Sequence, residues 1–285
     1  MDLTISSEKI GNPLLVELLR KLTDSFSKMD KEFYVIGATA RDIVIQQLLD
    51  TGSKRRTRDL DIAIAIPDWE TFEQVKQSLS ADGFEKSSDM QQRFYYGEYE
   101  LDIVPYGVVA KEDDKIYWPP EEEIAMSVKG FDEVLSEAIT VSIDDDFKVK
   151  IASLHGLFLL KFNAWLDRNT KTSKDAEDMS FIFSNYFLAN LEREIHQEVY
   201  DWENFDDYIV GGYWLAYDIV ALLNKEQLCY YKEVIEGELA KEEESRLINQ
   251  IIENSYGLKY ETIRDTWQAI VDIFQKGIED ENEEV

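Results

Sequence analysis

The sequence predicts an α+β fold, a mixed sheet with flanking helices in the N-terminal half followed by a C-terminal helical domain. Two observations carry that reading. Between residues 33 and 104, short β-branched and aromatic runs alternate with segments of helical period, and from Ala152 onward the strand patterns give way to helical ones. With 285 residues and 44% hydrophobic content the chain is long enough for two cores, which we place at 1–150 and 151–285.

Each element has its own signal. Residues 13–29 carry apolar side chains at helical spacing, and Pro13 suits a first turn. Phe33-Tyr34-Val35-Ile36 reads as a buried strand ending at Gly37. Ala40 to Leu49 reads as a helix stopped by Thr51-Gly52-Ser53. A basic run, Lys54-Arg55-Arg56-Thr57-Arg58, leads into a strand over 59–66 that Pro67-Asp68 closes. Trp69 to Leu79 is an amphipathic helix, and the runs 94–96 and 99–104 flank Gly97-Glu98 as a hairpin. Residues 138–143 and 147–149 add edge strands. Helices are then expected over 154–166 and 175–187, and around 190–205, 207–223, 227–235, 241–254 and 260–277.

Composition narrows the function classes. There are 59 acidic against 30 basic residues, a formal net charge of −29, so broad sequence-independent coating of nucleic acid is disfavoured. A nucleotide, or one docked RNA end, remains compatible with such a surface. Cys229 stands alone, which excludes an intramolecular disulfide and a cysteine zinc site, and His155 and His196 are too few for a histidine metal cluster. The N-terminus lacks a basic-then-apolar leader pattern, and no apolar run approaches the roughly 18 residues of a membrane span. A cytoplasmic protein without a membrane partner is expected.

The chemistry-bearing residues are acids set in strands. Asp59 and Asp61, in Arg58-Asp59-Leu60-Asp61-Ile62-Ala63-Ile64, project from one face, while Leu60, Ile62 and Ile64 fill the other. Two carboxylates side by side repel each other, and a divalent cation is the usual partner that offsets the repulsion. Asp102, in Glu100-Leu101-Asp102-Ile103-Val104, supplies a third ligand from a second strand. Carboxylate oxygens without nearby Cys or His suit Mg²⁺, which one or two carboxylates commonly hold together with substrate phosphates. Gly37-Ala38-Thr39-Ala40-Arg41-Asp42, between a strand and a helix, exposes backbone N–H groups that can receive phosphate.

Together these motifs resemble the polymerase-β-type nucleotidyltransferase superfamily, and within it they are most similar to the AbiEii-type toxin nucleotidyltransferases. Gly37-Ala38-Thr39-Ala40 looks like their Gly-Gly-Thr-Ala turn with Ala38 in place of the second glycine. Arg41-Asp42 is similar to the Gly-Gly-x-x-Arg-Asp of tRNA nucleotidyltransferases. Arg58-Asp59-Leu60-Asp61 fits the Asp-x-Asp strand of both groups, and Asp102 fits the third acid. Lys161-x-x-Ala164-x-x-x-Arg168 and Lys174-Asp175-x-x-Asp178 look like later AbiEii signatures, with lysine at 174 where arginine is usual. The resemblance covers residues 33–183.

The resemblance implies a nucleotidyltransferase-like domain that moves a nucleoside monophosphate from an NTP to an acceptor, using two Mg²⁺ ions. Asp59, Asp61 and Asp102 would be both catalytic and metal-binding. Gly37, Ala38, Thr39 and Arg41 would line the triphosphate, and Lys161 would neutralise its charge. Arg168 and Lys174 would do the same or hold the helices together. It also implies a toxin of a toxin–antitoxin or phage-defence system, with a tRNA end or a protein as acceptor and an antitoxin as partner. Two other functions fit the same residues: nucleotidylation of a small molecule, and a catalytically silent nucleotide-binding or interaction protein. Plainer roles also exist for single residues. Thr39 suits an N-cap, Asp59 an ion pair with Arg56 or Arg58, and Asp102 an edge-strand acid that blocks aggregation. Lys161 can snorkel to solvent, and the run 54–58 is either a solvated loop or an entry for an anionic acceptor.

Overall fold

The computed structural model describes residues 2–49, 58–120, 122, 125–203, 205–255 and 257–283. The basic run 54–58 lies outside the described residues except for Arg58, which is exposed and pairs with Glu98 at 3.0 Å. The chain forms two compact units, Met1–Leu157 and Phe158–Val285.

In the first unit β1 (Asp2–Ile5) and a short helix α1 (Ser7–Ile10) precede α2 (Pro13–Lys28). Asn12 caps α2 by accepting from the Leu15 N–H at 3.2 Å, and Leu15, Leu18, Leu19, Leu22 and Phe26 form its buried stripe. β2 (Tyr34–Ile36), α3 (Gly37–Leu49), β3 (Asp59–Ala65) and α4 (Trp69–Ala81) follow. Next come β4 (Glu85–Lys86), β5 (Arg93–Tyr96) and β6 (Tyr99–Tyr106). After a small antiparallel pair, β7 (Lys115–Tyr117) and β8 (Ala125–Ser127), the unit continues with α5 (Phe131–Ser136), β9 (Ile139–Ile143) and β10 (Phe147–Ile151). The eight-stranded main sheet has the order β1-β9-β10-β2-β3-β6-β5-β4. β3 is central: it runs antiparallel to β2 and parallel to β6. Leu60, Ile62 and Ile64 are fully buried on one face, as the alternation of hydrophobic and acidic residues requires.

The second unit is helical: α6 (Leu154–Arg168, whose first turn belongs to the first unit), α7 (Lys174–Ala189), α8 (Asp207–Val220), α9 (Lys225–Leu239), α10 (Arg246–Asn254) and α11 (Tyr260–Glu283). Its core is aromatic. Phe183 lies 4.8 Å from Phe158 and 5.4 Å from Trp267, and Phe162 lies 5.4 Å from Trp267. α8 meets its neighbours through Gly211 and Gly212. A Cβ on Gly211 would overlap the Phe183 carbonyl oxygen, and one on Gly212 would overlap the Thr266 methyl.

Two expected helices differ. Among its described residues, the segment 190–205 holds no α-helix, only a 3₁₀ turn at Gln197–Asp201. Arg193 donates to both carboxylate oxygens of Asp218 on α8, at 2.6 and 2.7 Å. His196 takes a left-handed backbone, φ 48°, and stacks on Tyr217 at 3.7 Å. These contacts pin the segment against α8, and tertiary bonding overrides local propensity. The helix expected over 241–254 begins only at Arg246. Ser245, fully buried, caps it by accepting from the Ile248 N–H at 3.3 Å, while donating its hydroxyl to Glu238 at 3.0 Å. A new cap held from α9 restarts the chain there.

Gly211→Ala should destabilise the helical unit by about 1–3 kcal/mol, because overpacking against a backbone carbonyl outweighs alanine's better helix propensity. Urea unfolding followed by circular dichroism reads this directly; an unchanged or raised midpoint would contradict the close α7–α8 approach.

Candidate active site

The acids assemble through strand register. On the parallel β3–β6 pair Asp61 lies directly opposite Asp102, and Asp59 lies opposite Glu100. Side chains two apart share a face, so all four carboxylates lie on the same face of the sheet. Asp59, at the start of the strand, is exposed, whereas Asp61, Glu100 and Asp102 are half-buried. The face continues beyond the acids to Tyr34, opposite Ala63, and Tyr106, opposite Ala65. The two rings meet edge-on at 6.4 Å, and burial raises both phenols above their usual range, so they stay neutral.

Helix α3 starts at Gly37, directly after β2 and three residues earlier than the sequence pattern suggests. Gly37 has φ 71°, and a Cβ there would overlap the Asp61 carboxylate. Glycine is therefore required twice, for the backbone turn and for Asp61's carboxylate. Ala38 is half-buried in the first helical turn. Thr39 does not cap the helix; it is buried within it and donates its hydroxyl to the Asp59 carbonyl at 2.9 Å, tying the strand's first residue to α3. Arg41 is buried and its guanidinium reaches Asp42 at 2.7 and 2.9 Å.

In the helical unit, Arg168 makes a two-pronged pair with Asp175, both bonds at 2.7 Å, and Asp175 is wholly buried. Lys161 reaches Asp178 at 2.7 Å and Asp175 at 3.7 Å. These cations join α6 to α7. Lys174 is exposed at the first residue of α7.

The sequence reading missed Arg93. On the antiparallel β5–β6 pair it lies opposite Asp102, donating from Nε and Nη2 to the two carboxylate oxygens at 2.7 Å each, and its Nη1 pairs with Glu100. The bonds to Asp102 hold the guanidinium protonated well above its ordinary range. A signal was present: counting outward from the Gly97-Glu98 turn pairs Arg93 with Asp102.

Among the described residues, no three carboxylate, histidine or cysteine side chains converge closely enough to hold a metal ion by themselves. The donor set nevertheless suits an ion that arrives with a nucleotide. Its oxygens are hard, Asp61 and Asp102 are neighbours in register, and Gly37 leaves Asp61 the space that a Cβ would fill. Arg93 occupies one lone pair on each Asp102 oxygen and leaves the others for a ligand.

The two acid-bearing strands, β3 and β6, lie side by side within this mixed sheet. Residues 20–282 match the family described as nucleotidyl transferase AbiEii toxin, type IV toxin–antitoxin system, and the chain belongs to it; it is a nucleotidyltransferase. Among solved structures it is similar to JHP933 from Helicobacter pylori, at 12% identity over 98% of this chain and 97% of that one, with a TM-score of 0.42. It is similar also to ANT(2″)-Ia in complex with adenylyl-2″-tobramycin, at 14% identity over 62% and 88% of the two chains, TM-score 0.37. The CCA-adding enzyme with ATP is similar at 12% identity over 95% and 84%, TM-score 0.27. No protein of curated function matches the chain. Among the described residues, no helix is long and apolar enough to cross a membrane.

Because Asp175 is fully buried, Arg168→Met leaves a charge that Lys161 compensates only from 3.7 Å. The expected loss is about 2–3 kcal/mol, at or below the usual cost of breaking a buried pair because that second cation remains. Chemical denaturation measures it; a loss under about 0.5 kcal/mol, the scale of an exposed pair, would show that this bridge contributes little.

Proposed function

We propose that this chain is a Mg²⁺-dependent nucleotidyltransferase that moves a nucleoside monophosphate from an NTP to a hydroxyl on an RNA end, such as that of tRNA, or on a protein. It would act in the cytoplasm as the toxin of a pair that includes an antitoxin. The observation that carries this reading is the register of Asp61 against Asp102, with Asp59 two residues along the same face and Gly37 against Asp61.

In this reading Asp59, Asp61 and Asp102 would hold the Mg²⁺ ions that come with the nucleotide. Such ions supply Lewis-acid stabilisation of charge on the attacking and leaving oxygens. The first N–H groups of α3, at Gly37, Ala38 and Thr39, have no partner within the helix and lie at its positive end, so they suit the β- and γ-phosphates. Arg41, one turn on, adds positive charge behind them. The acceptor hydroxyl attacks the α-phosphorus in line, the bond to the β-phosphate breaks, pyrophosphate leaves, and the hydroxyl's proton passes to solvent. Asp102 helps to orient that hydroxyl for attack. In the helical unit, Lys161 and Arg168 act by keeping α6 and α7 together. A net charge of −29 weakens the encounter with long RNA, which favours a single docked end.

The test is incubation of wild type and Asp61→Asn with each labelled NTP, Mg²⁺ and total RNA or lysate. Wild type should label an acceptor and Asp61→Asn should fall by about 10²–10³-fold, the scale of a lost electrostatic stabiliser. Chelation should abolish labelling. Equal labelling by both proteins would overturn the site. Gly37→Ala should lose transfer to a similar extent while staying folded, because its methyl displaces the Asp61 carboxylate; retained activity would show that the glycine does not serve the site.

A further inference from the structure

We propose that Arg93 is a positioning residue for nucleotidyl transfer: it fixes the plane of the Asp102 carboxylate and draws Glu100 aside, so that one Asp102 oxygen is presented toward Asp61. This rests on the reading of Asp61 and Asp102 as ligands of the nucleotide-bound ion.

The geometry is specific. All three guanidinium nitrogens are engaged, Nε and Nη2 on Asp102 and Nη1 on Glu100. Both partners of the Asp102 pair are about four-fifths shielded, with 22% and 21% of their side-chain surface exposed. The terminal torsion of an aspartate is broad, so a carboxylate on a strand can otherwise turn through a wide range. Two parallel charge-assisted bonds from a planar fork remove that freedom. The fork takes the lone pair of each oxygen that faces it, and the two left over diverge, so an ion binds one Asp102 oxygen at a fixed angle rather than chelating both. Mg²⁺ demands near-ideal octahedral geometry, and this constraint supplies part of it before the nucleotide arrives.

Glu100 makes the second part of the argument. It lies opposite Asp59 and two residues from Asp102 on the same face, where it could compete for a cation. The third guanidinium nitrogen holds it toward β5 instead. Lysine cannot reproduce both effects at once, because an ammonium is a point charge without a fork. A lysine variant therefore separates positioning from mere charge compensation.

The experiment compares wild type, Arg93→Lys, Arg93→Met and Asp61→Asn by thermal unfolding, by Mn²⁺ binding with a non-hydrolysable NTP analogue (followed by electron paramagnetic resonance), and by transfer kinetics. Positioning requires Arg93→Lys to remain folded and bind Mn²⁺ about five-fold or more weakly. Its kcat should fall about ten-fold or more while KM for the NTP moves less than about three-fold. Wild-type Mn²⁺ affinity and kcat in Arg93→Lys would overturn the proposal and leave only charge compensation. If Arg93→Met unfolds, the double variant Arg93→Met/Glu100→Gln removes one of the two uncompensated acids, and restored folding without restored Mn²⁺ binding supports positioning. Wild-type Mn²⁺ affinity in that double variant overturns it. The underlying reading fails separately: unchanged Mn²⁺ affinity in Asp61→Asn would refute the ion site itself.

Discussion

The parallel pairing of β3 with β6 is the constraint on which the candidate site depends. A parallel ladder fixes which residues face each other, and a slip of one position would turn one strand's acids to the apolar face. Leu60, Ile62 and Ile64 on β3, with Leu101 and Ile103 on β6, are all fully buried, so such a slip would expose a continuous hydrophobic row. The hydrophobic side of the sheet thus sets the alignment of Asp61 with Asp102 on the other side. The same logic reaches β5, whose antiparallel pairing brings Arg93 to Asp102.

That arrangement concentrates negative charge. Four carboxylates gather on two adjacent strands of a chain already at −29, and the protein meets β6's share with one guanidinium. Gly37 and Thr39 act on the β3 side. The glycine leaves room for the Asp61 carboxylate, and the threonine hydroxyl fixes the strand's first residue to the helix that follows β2. The helical unit uses a comparable device for another end: Asp175, wholly buried, is met by Arg168 and Lys161 from α6.

Much of the fold was legible because it rests on local periodicity. The alternation in 59–66 identified β3, the leucine spacing of 13–29 identified α2, and Gly97-Glu98 marked the hairpin. Where the reading failed, a distant partner intervened. The segment 190–205 has helical character, yet Arg193 and His196 find Asp218 and Tyr217 on α8 and hold it in another form. Glu238 from α9 stabilises a cap at Ser245 and shortens the helix expected there. Thr39, read as a possible cap, turned out to bond a residue on β3, twenty positions away. Of the candidate site, the acids were visible as chemically unusual strand residues. Arg93 was overlooked because an arginine in a hairpin is ordinary until its partner is known.

The sequence by itself determined which segments are strands or helices and which residues share a face, since periods of 2 and 3.6 are properties of neighbouring residues. It also carried enough of the motif order to identify the family. Only the tertiary structure decided which acid opposes which, that Asp102 is held by a guanidinium, that 190–205 is not a helix, and that α8 packs through two glycines. Those outcomes depend on contacts between residues far apart in the chain, whose energies are settled by burial and register rather than by local preference.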